Sequence, residues 1–119
     1  MTSGIDRLSV VRELLEMSKP LEKIVAQLAK IDWDHEGKGV DLTKEHLSMA
    51  LRRYLRGELS ESDIESWANQ IEGREDVQFE AGSEREIKDV LHELANPALT
   101  RPLDRRRAKV LLDAIGAST

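Results

Sequence analysis

The chain contains no cysteine. Disulfides, thiolate metal sites and cysteine nucleophiles are therefore excluded, and the composition suits a reducing compartment. No apolar run approaches the roughly 20 residues needed to span a bilayer. The opening "MTSGIDRLSVV" lacks the basic start and continuous apolar stretch of a signal peptide, so the sequence reads as cytoplasmic. Aromatics are scarce, namely Trp33, Tyr54, Trp67 and Phe79. Any core must be aliphatic, and 16 Leu, 7 Ile and 7 Val supply it. HExxH, a Gly-rich phosphate loop, GxSxG and a pair of ExxH motifs are all missing.

The 119 residues make one domain, spanning 1–119, of a size that buries roughly two-thirds of its unfolded surface. Net charge is −5, and its distribution says more than its total. Between residues 58 and 86 only Arg74 and Arg85 oppose ten acids, a local charge of −8, so the remainder is +3. Residues 101–109 are basic, with Arg101, Arg105, Arg106, Arg107 and Lys109 against Asp104. The chain has an acidic middle and a basic end.

Apolar periodicity predicts six helices, each with one apolar face. The first covers about 4–18, capped by Ser3, with Ile5, Leu8, Val11 and Leu15 as its stripe. Pro20 opens the second at a first-turn position, where its missing N–H costs nothing; Leu21, Ile24, Leu28 and Ile31 face inward. Thr43 caps the third, about 44–56, with Leu42 and Leu47 spaced as a hydrophobic staple and Gly57 as the left-handed stop. Ser60, Asp63, Leu59 and Ile64 repeat that device for the fourth, whose stripe is Ile64, Trp67, Ala68 and Ile71. "VQFE" at 77–80 alternates as a short extended segment. Ser83 and Glu86 form a capping box for the fifth helix, whose stripe is Ile87, Val90, Leu91 and Leu94 and which stops at Asn96-Pro97. Asp104 caps the sixth, with Ala108, Leu111, Leu112 and Ile115 inward. The expectation is an all-α, single compact domain of five to six helices in an orthogonal or bundle-like array.

The break in "YLRGELSESDIESWAN" has the look of a helix-turn-helix. The second helix would then enter the major groove, yet its outward residues include Glu58, Glu61, Asp63, Glu65 and Glu72. DNA affinity comes largely from neutralising phosphates, so these carboxylates oppose it. Acids near a helix N-terminus complement its dipole instead. The stretch is a helix–helix corner with Trp67 in the core. "RPLDRRRAK" could grip nucleic acid, but three consecutive arginines fan through roughly 200° around a helix, and no aromatics interleave for stacking.

"DWDHEGKGVDLT", 32–43, resembles an EF-hand loop at Asp32, Asp34, Glu36 and Gly37. It departs at the twelfth position, where the bidentate Glu is replaced by Thr43, and at the eighth, where Gly39 stands. We expect no metal and no cofactor. The histidines, His35, His46 and His92, form no catalytic set; His92 follows Asp89 by three residues, a spacing common on solvated helices. "IEGRED" clusters Glu72, Glu75 and Asp76 around Arg74, but acid–base chemistry needs facing carboxylates in a desolvated cleft. The sequence does not read as an enzyme.

Two classes remain. One is a protein-interaction module presenting an acidic helical surface to a basic partner, through Glu61, Glu65, Glu72, Arg74, Glu75 and Asp76; the same acid density also serves solubility. The other is a structural or assembly homodimer, with a nucleic-acid regulator using the basic C-terminal helix behind both. No membrane partner is expected. The segment from "YLRGELSESDIESWAN" through "GRED" to "ELANP", roughly 42–97, resembles a pattern in small uncharacterised bacterial all-helical proteins. That resemblance implies a helical fold and no site. In size, charge and class alone, the chain is similar to bacterial immunity proteins that neutralise basic nuclease toxins, which implies immunity-type or inhibitor-type binding.

Overall fold

Start signals at Thr43, Ser60 and Asp104 set three helix boundaries. The computed structural model describes residues 7–29, 39–74 and 77–116. Its elements are α1 Arg7–Glu16, α2 Leu21–Ala29, β1 Val40–Leu42, α3 Lys44–Leu55, α4 Glu61–Ile71, β2 Val77–Phe79, α5 Glu84–Ala95 and α6 Arg105–Gly116. The fold is all-α, with six helices among the described residues around one aliphatic core. Ser3, Ile5, Ile31 and most of the calcium-like loop, 32–38, lie outside the described residues, as do Glu75 and Asp76.

Capping decides the local boundaries. Thr43 and Ser60 both adopt extended backbone and close reciprocal capping boxes. At Ser60 the N–H donates to Asp63 Oδ2 at 2.9 Å, and the Asp63 N–H donates to Ser60 Oγ at 3.0 Å. At Thr43 the third residue is His46, whose Nδ1 accepts the Thr43 N–H at 3.0 Å. Asp104 Oδ1 accepts from the Arg107 N–H at 2.7 Å and opens α6. Gly57 ends the α3 turn at φ +83, where any Cβ would be strained. The box expected at Ser83 does not form. Ser83 has φ −131 and ψ 15, outside the extended region a cap needs, so its hydroxyl makes no cap bond. Glu84 Oε1 accepts from the Gly82 N–H instead, at 3.0 Å.

The stripes read from sequence face the core. Val11, Leu15, Ile24, Leu28, Leu47, Leu51, Ile64, Trp67, Ala68 and Ile71 are buried, as are Ile87, Val90, Leu91, Leu94, Ala108, Leu111 and Ile115. The staple residues Leu42 and Leu47 are both fully buried. α3 packs most extensively on α6, and α4 on α5. The extended segment at 77–79 has a partner that periodicity did not reveal. β1 and β2 pair in parallel, with Val40 opposite Val77 and Leu42 opposite Phe79. A parallel pair needs a long crossover, and α3 with α4 is that crossover. Glu80 Oε1 then accepts from the Lys44 N–H at 3.0 Å, so the end of β2 helps cap α3.

α1 ends two residues earlier than expected. Met17 takes φ +47, the left-handed conformation that closes a helix but strains a residue bearing Cβ. Two distant groups hold this end. The Trp67 indole N–H donates to the Leu14 carbonyl at 2.7 Å in the core. The Arg53 guanidinium donates to the Met17 carbonyl at 3.1 Å. The last carbonyls of a helix lack regular intrahelical donors; the Met17 N–H reaches the Leu14 carbonyl only at 3.3 Å, and α4 and α3 supply the shorter bonds.

Trp67→Phe should therefore destabilise the protein by about 2–4 kcal/mol, combining a weakened buried hydrogen bond with a small cavity. Urea unfolding followed by circular dichroism would measure it. His46 makes a pH prediction. Burial lowers its pKa below the ordinary 6.5, only partly countered by Glu16, Glu45 and Glu80, and its Nδ1 lone pair is occupied as an acceptor. Stability from the neutral ring is complete above pH ~6.5. It is lost as pH falls through the depressed folded value. His46→Gln keeps an acceptor at the same capping position without titrating. Urea midpoints between pH 7.5 and pH 5 should fall more for the parent than for His46→Gln.

Candidate functional site

The acid-rich segment separates into carboxylates with structural partners and carboxylates without them. Glu58 bonds Arg53 at 3.3 Å and Arg56 at 2.9 Å. Asp63 belongs to the Ser60 box, Glu80 caps α3, and Glu84 takes the Gly82 N–H. Glu72 joins α4 to α5. Its Oε2 lies 2.9 Å from His92 Nδ1, and its Oε1 accepts from Asn96 Nδ2 at 3.1 Å. The acid beside His92 is thus Glu72, twenty positions away, and not the neighbouring Asp89. Sequence spacing had no signal for that contact.

Glu86 stands by itself on α5, exposed and, among the described residues, without an ion pair; Glu61 and Glu65 remain. Both are exposed on α4, and among the described residues neither carboxylate has an ion pair. At i, i+4 their Cβ atoms lie about 5–6 Å apart, so the two like charges repel. Glu61 stands in the first turn, where the helix dipole favours an acid. Glu65 lies beyond that turn, where the effect has decayed.

α5 crosses this flank with its C-terminal turn. Glu61, Ser62, Ile64 and Glu65 of α4 line a cavity of about 180 Å³ with Glu93, Leu94, Pro97, Arg101, Pro102 and Leu103. Ile64, Leu94 and Leu103 are buried and make an apolar floor. Glu93 is not available there, because Arg107 binds it through two nitrogens at 2.6 Å each. That hydrogen-bonded pair raises the Arg107 pKa further above its ordinary value. On the connection between Pro97 and Arg101, Leu99 is 79 % exposed, more than any other large apolar side chain among the described residues.

Of the six residues proposed from sequence, the structure brings Glu61 and Glu65 together at this cavity. Glu72 belongs to the His92–Asn96 cluster. Arg74 is half-buried, with its N–H on the Ile71 carbonyl. Glu75 and Asp76 lie outside the described residues. Sequence reasoning missed Leu99, Arg101 and the cavity floor; the only sign was one leucine between two prolines in "NPALTRP". The basic end is divided. Arg105 donates to the Leu55 carbonyl at 2.7 Å and Arg107 holds Glu93, while Arg101, Arg106 and Lys109 are exposed.

A wider groove of about 860 Å³ runs between the α1–α2 turn and α4. All of its charged groups but Glu22 are already engaged: Lys19 with Glu13 at 3.0 Å, Arg53 with Met17 and Glu58, and Asp63 with Ser60. Among the described residues no three His, Asp or Glu side chains are grouped to hold a metal ion. In the calcium-like stretch, Val40–Leu42 is strand and the Thr43 hydroxyl accepts the His46 N–H at 3.3 Å. Among the described residues no helix is long and apolar enough to cross a membrane. No family model, curated protein or solved structure matches the chain, so the sequence resemblances gain no support there and the functional reading rests on geometry.

The two side-chain pairs at α5 should differ in weight. His92 and Glu72 are 53 % and 35 % exposed, so Glu72→Ala should cost at most about 1 kcal/mol. The Arg107 and Glu93 side chains are 25 % and 16 % exposed and bidentate, so Glu93→Ala should cost about 2 kcal/mol or more. Chemical denaturation of the two variants would rank them.

Proposed function

We propose that this chain is a non-catalytic protein-interaction module of the cytoplasm, which presents the acidic flank of α4 to a basic protein partner as an immunity or inhibitor protein does. The observation that carries the reading is the pair Glu61 and Glu65. Glu58, Asp63, Glu72, Glu80 and Glu84 serve caps and side-chain pairs and Glu86 stands singly on α5, whereas these two share one flank, repel each other in the free chain and gain most from an incoming cation. Like-signed charge on one face raises association rates and disfavours acidic competitors. The engagement of Arg105 and Arg107 within the fold counts against a nucleic-acid surface at α6. The assembly alternative draws on Met49 and Val110, which are exposed on the outer faces of α3 and α6. Single exposed apolar residues are ordinary on monomers, however.

The test is capture from host lysate followed by kinetics with the purified partner. Glu61→Lys/Glu65→Lys should slow association about tenfold or more at low salt, with the difference shrinking as ionic strength rises. Its thermal melt should stay near that of the parent, because both side chains are exposed. An unchanged association rate, or a partner without a basic surface, would refute the proposal. Light scattering that shows a dimer broken by Met49→Lys or Val110→Lys would favour the assembly reading.

A further inference from the structure

The cavity between α4 and α5 is small for a metabolite. At about 180 Å³ it falls below the roughly 300–1,000 Å³ of ordinary ligand pockets. One long side chain fits that space. Its walls specify which kind. Ile64, Leu94 and Leu103 make the floor apolar, while Glu61 and Glu65 stand exposed at its edge. Glu93 is neutralised by Arg107, and Arg101 is the one other cation among the lining residues, so against Glu61 and Glu65 one negative charge is left over.

We infer that this cavity is a socket for a single arginine side chain of the basic partner, a refinement that rests on the acidic-face reading. The aliphatic stem lies on the apolar floor, as long cationic side chains do on greasy surfaces. The planar guanidinium sits between Glu61 and Glu65, where its fork of donors meets two acceptors that a lysine ammonium would contact only as a point charge. Leu99, exposed on the connection that supplies Pro97 and Arg101 to the cavity, is the apolar side chain available to border such an anchor in a protein interface.

The test uses the full chain, labelled with ¹⁵N, and two probes, acetyl-arginine methylamide and acetyl-lysine methylamide. The arginine probe should shift the amides of Ser62, Ile64, Leu94 and Leu103 at saturating concentration, and the lysine probe should bind several-fold more weakly. Glu61→Gln/Glu65→Gln should weaken arginine binding about tenfold, as expected for loss of charge-assisted hydrogen bonds. Ser62→Leu should weaken it comparably, because it fills the cavity from the exposed rim and leaves both carboxylates in place. Shifts spread over Glu86 and Asp89, equal response to both probes, or full binding by Ser62→Leu would overturn the socket. Those results would leave the acidic-face reading standing. That reading fails separately, when charge reversal at Glu61 and Glu65 leaves the partner's association rate unchanged.

Discussion

The Trp67 indole N–H on the Leu14 carbonyl is the contact on which the rest of the structure depends. It lies in the core and spans 53 positions of chain. Within α1 the Leu14 carbonyl accepts only the long Met17 N–H bond, at 3.3 Å, and the 2.7 Å indole bond from α4 is the stronger one that ties this helix end into the core. Trp67 is fully buried, which sets the rotation of α4 about its axis. With Trp67 inward, Ile64, Ala68 and Ile71 follow inward at helical spacing, and Glu61 and Glu65 are carried to the flank beside α5. The acidic edge of the cavity is therefore a consequence of how the core is closed.

Charge in this protein is mostly architectural. Short acidic side chains at helix starts satisfy orphan N–H groups, and longer ones tie neighbouring helices. Glu80 shows how far this extends: a carboxylate at the end of β2 caps α3, so the small parallel ladder and the helix it introduces stabilise one another. Subtracting such roles separates a functional candidate from a merely acidic surface. His46 belongs with them. A histidine in the first turn of a helix opposes the dipole only when protonated, and here the ring serves as an uncharged acceptor, half-buried beside Thr43.

Much of the fold was legible because the signals are local. Thr43, Ser60 and Asp104 each act on a backbone N–H three residues away, and Gly57 acts on its own φ. Ser83 carried the same signature and failed, since the turn through Gly82 at φ +85 leaves it in the wrong backbone region. The β1–β2 pairing was not legible. Three residues are too few to show a period, and the partner strand lies beyond two intervening helices. Within the candidate site, the exposure of Glu61 and Glu65 followed from their register with Trp67, but the cavity beneath them joins four α4 residues to the 93–103 segment.

The sequence by itself determined the all-helical class, most helix boundaries, the inward stripes and the exclusion of thiol chemistry, because each depends on composition or on residues within about one turn of each other. Only tertiary structure decided which acids are engaged and which stand unpaired, that Glu72 pairs with His92, that Arg107 neutralises Glu93, and that Leu99 is left exposed. Those outcomes depend on where helices cross. A crossing is set by packing between residues far apart in the chain, for which one-dimensional spacing holds no record.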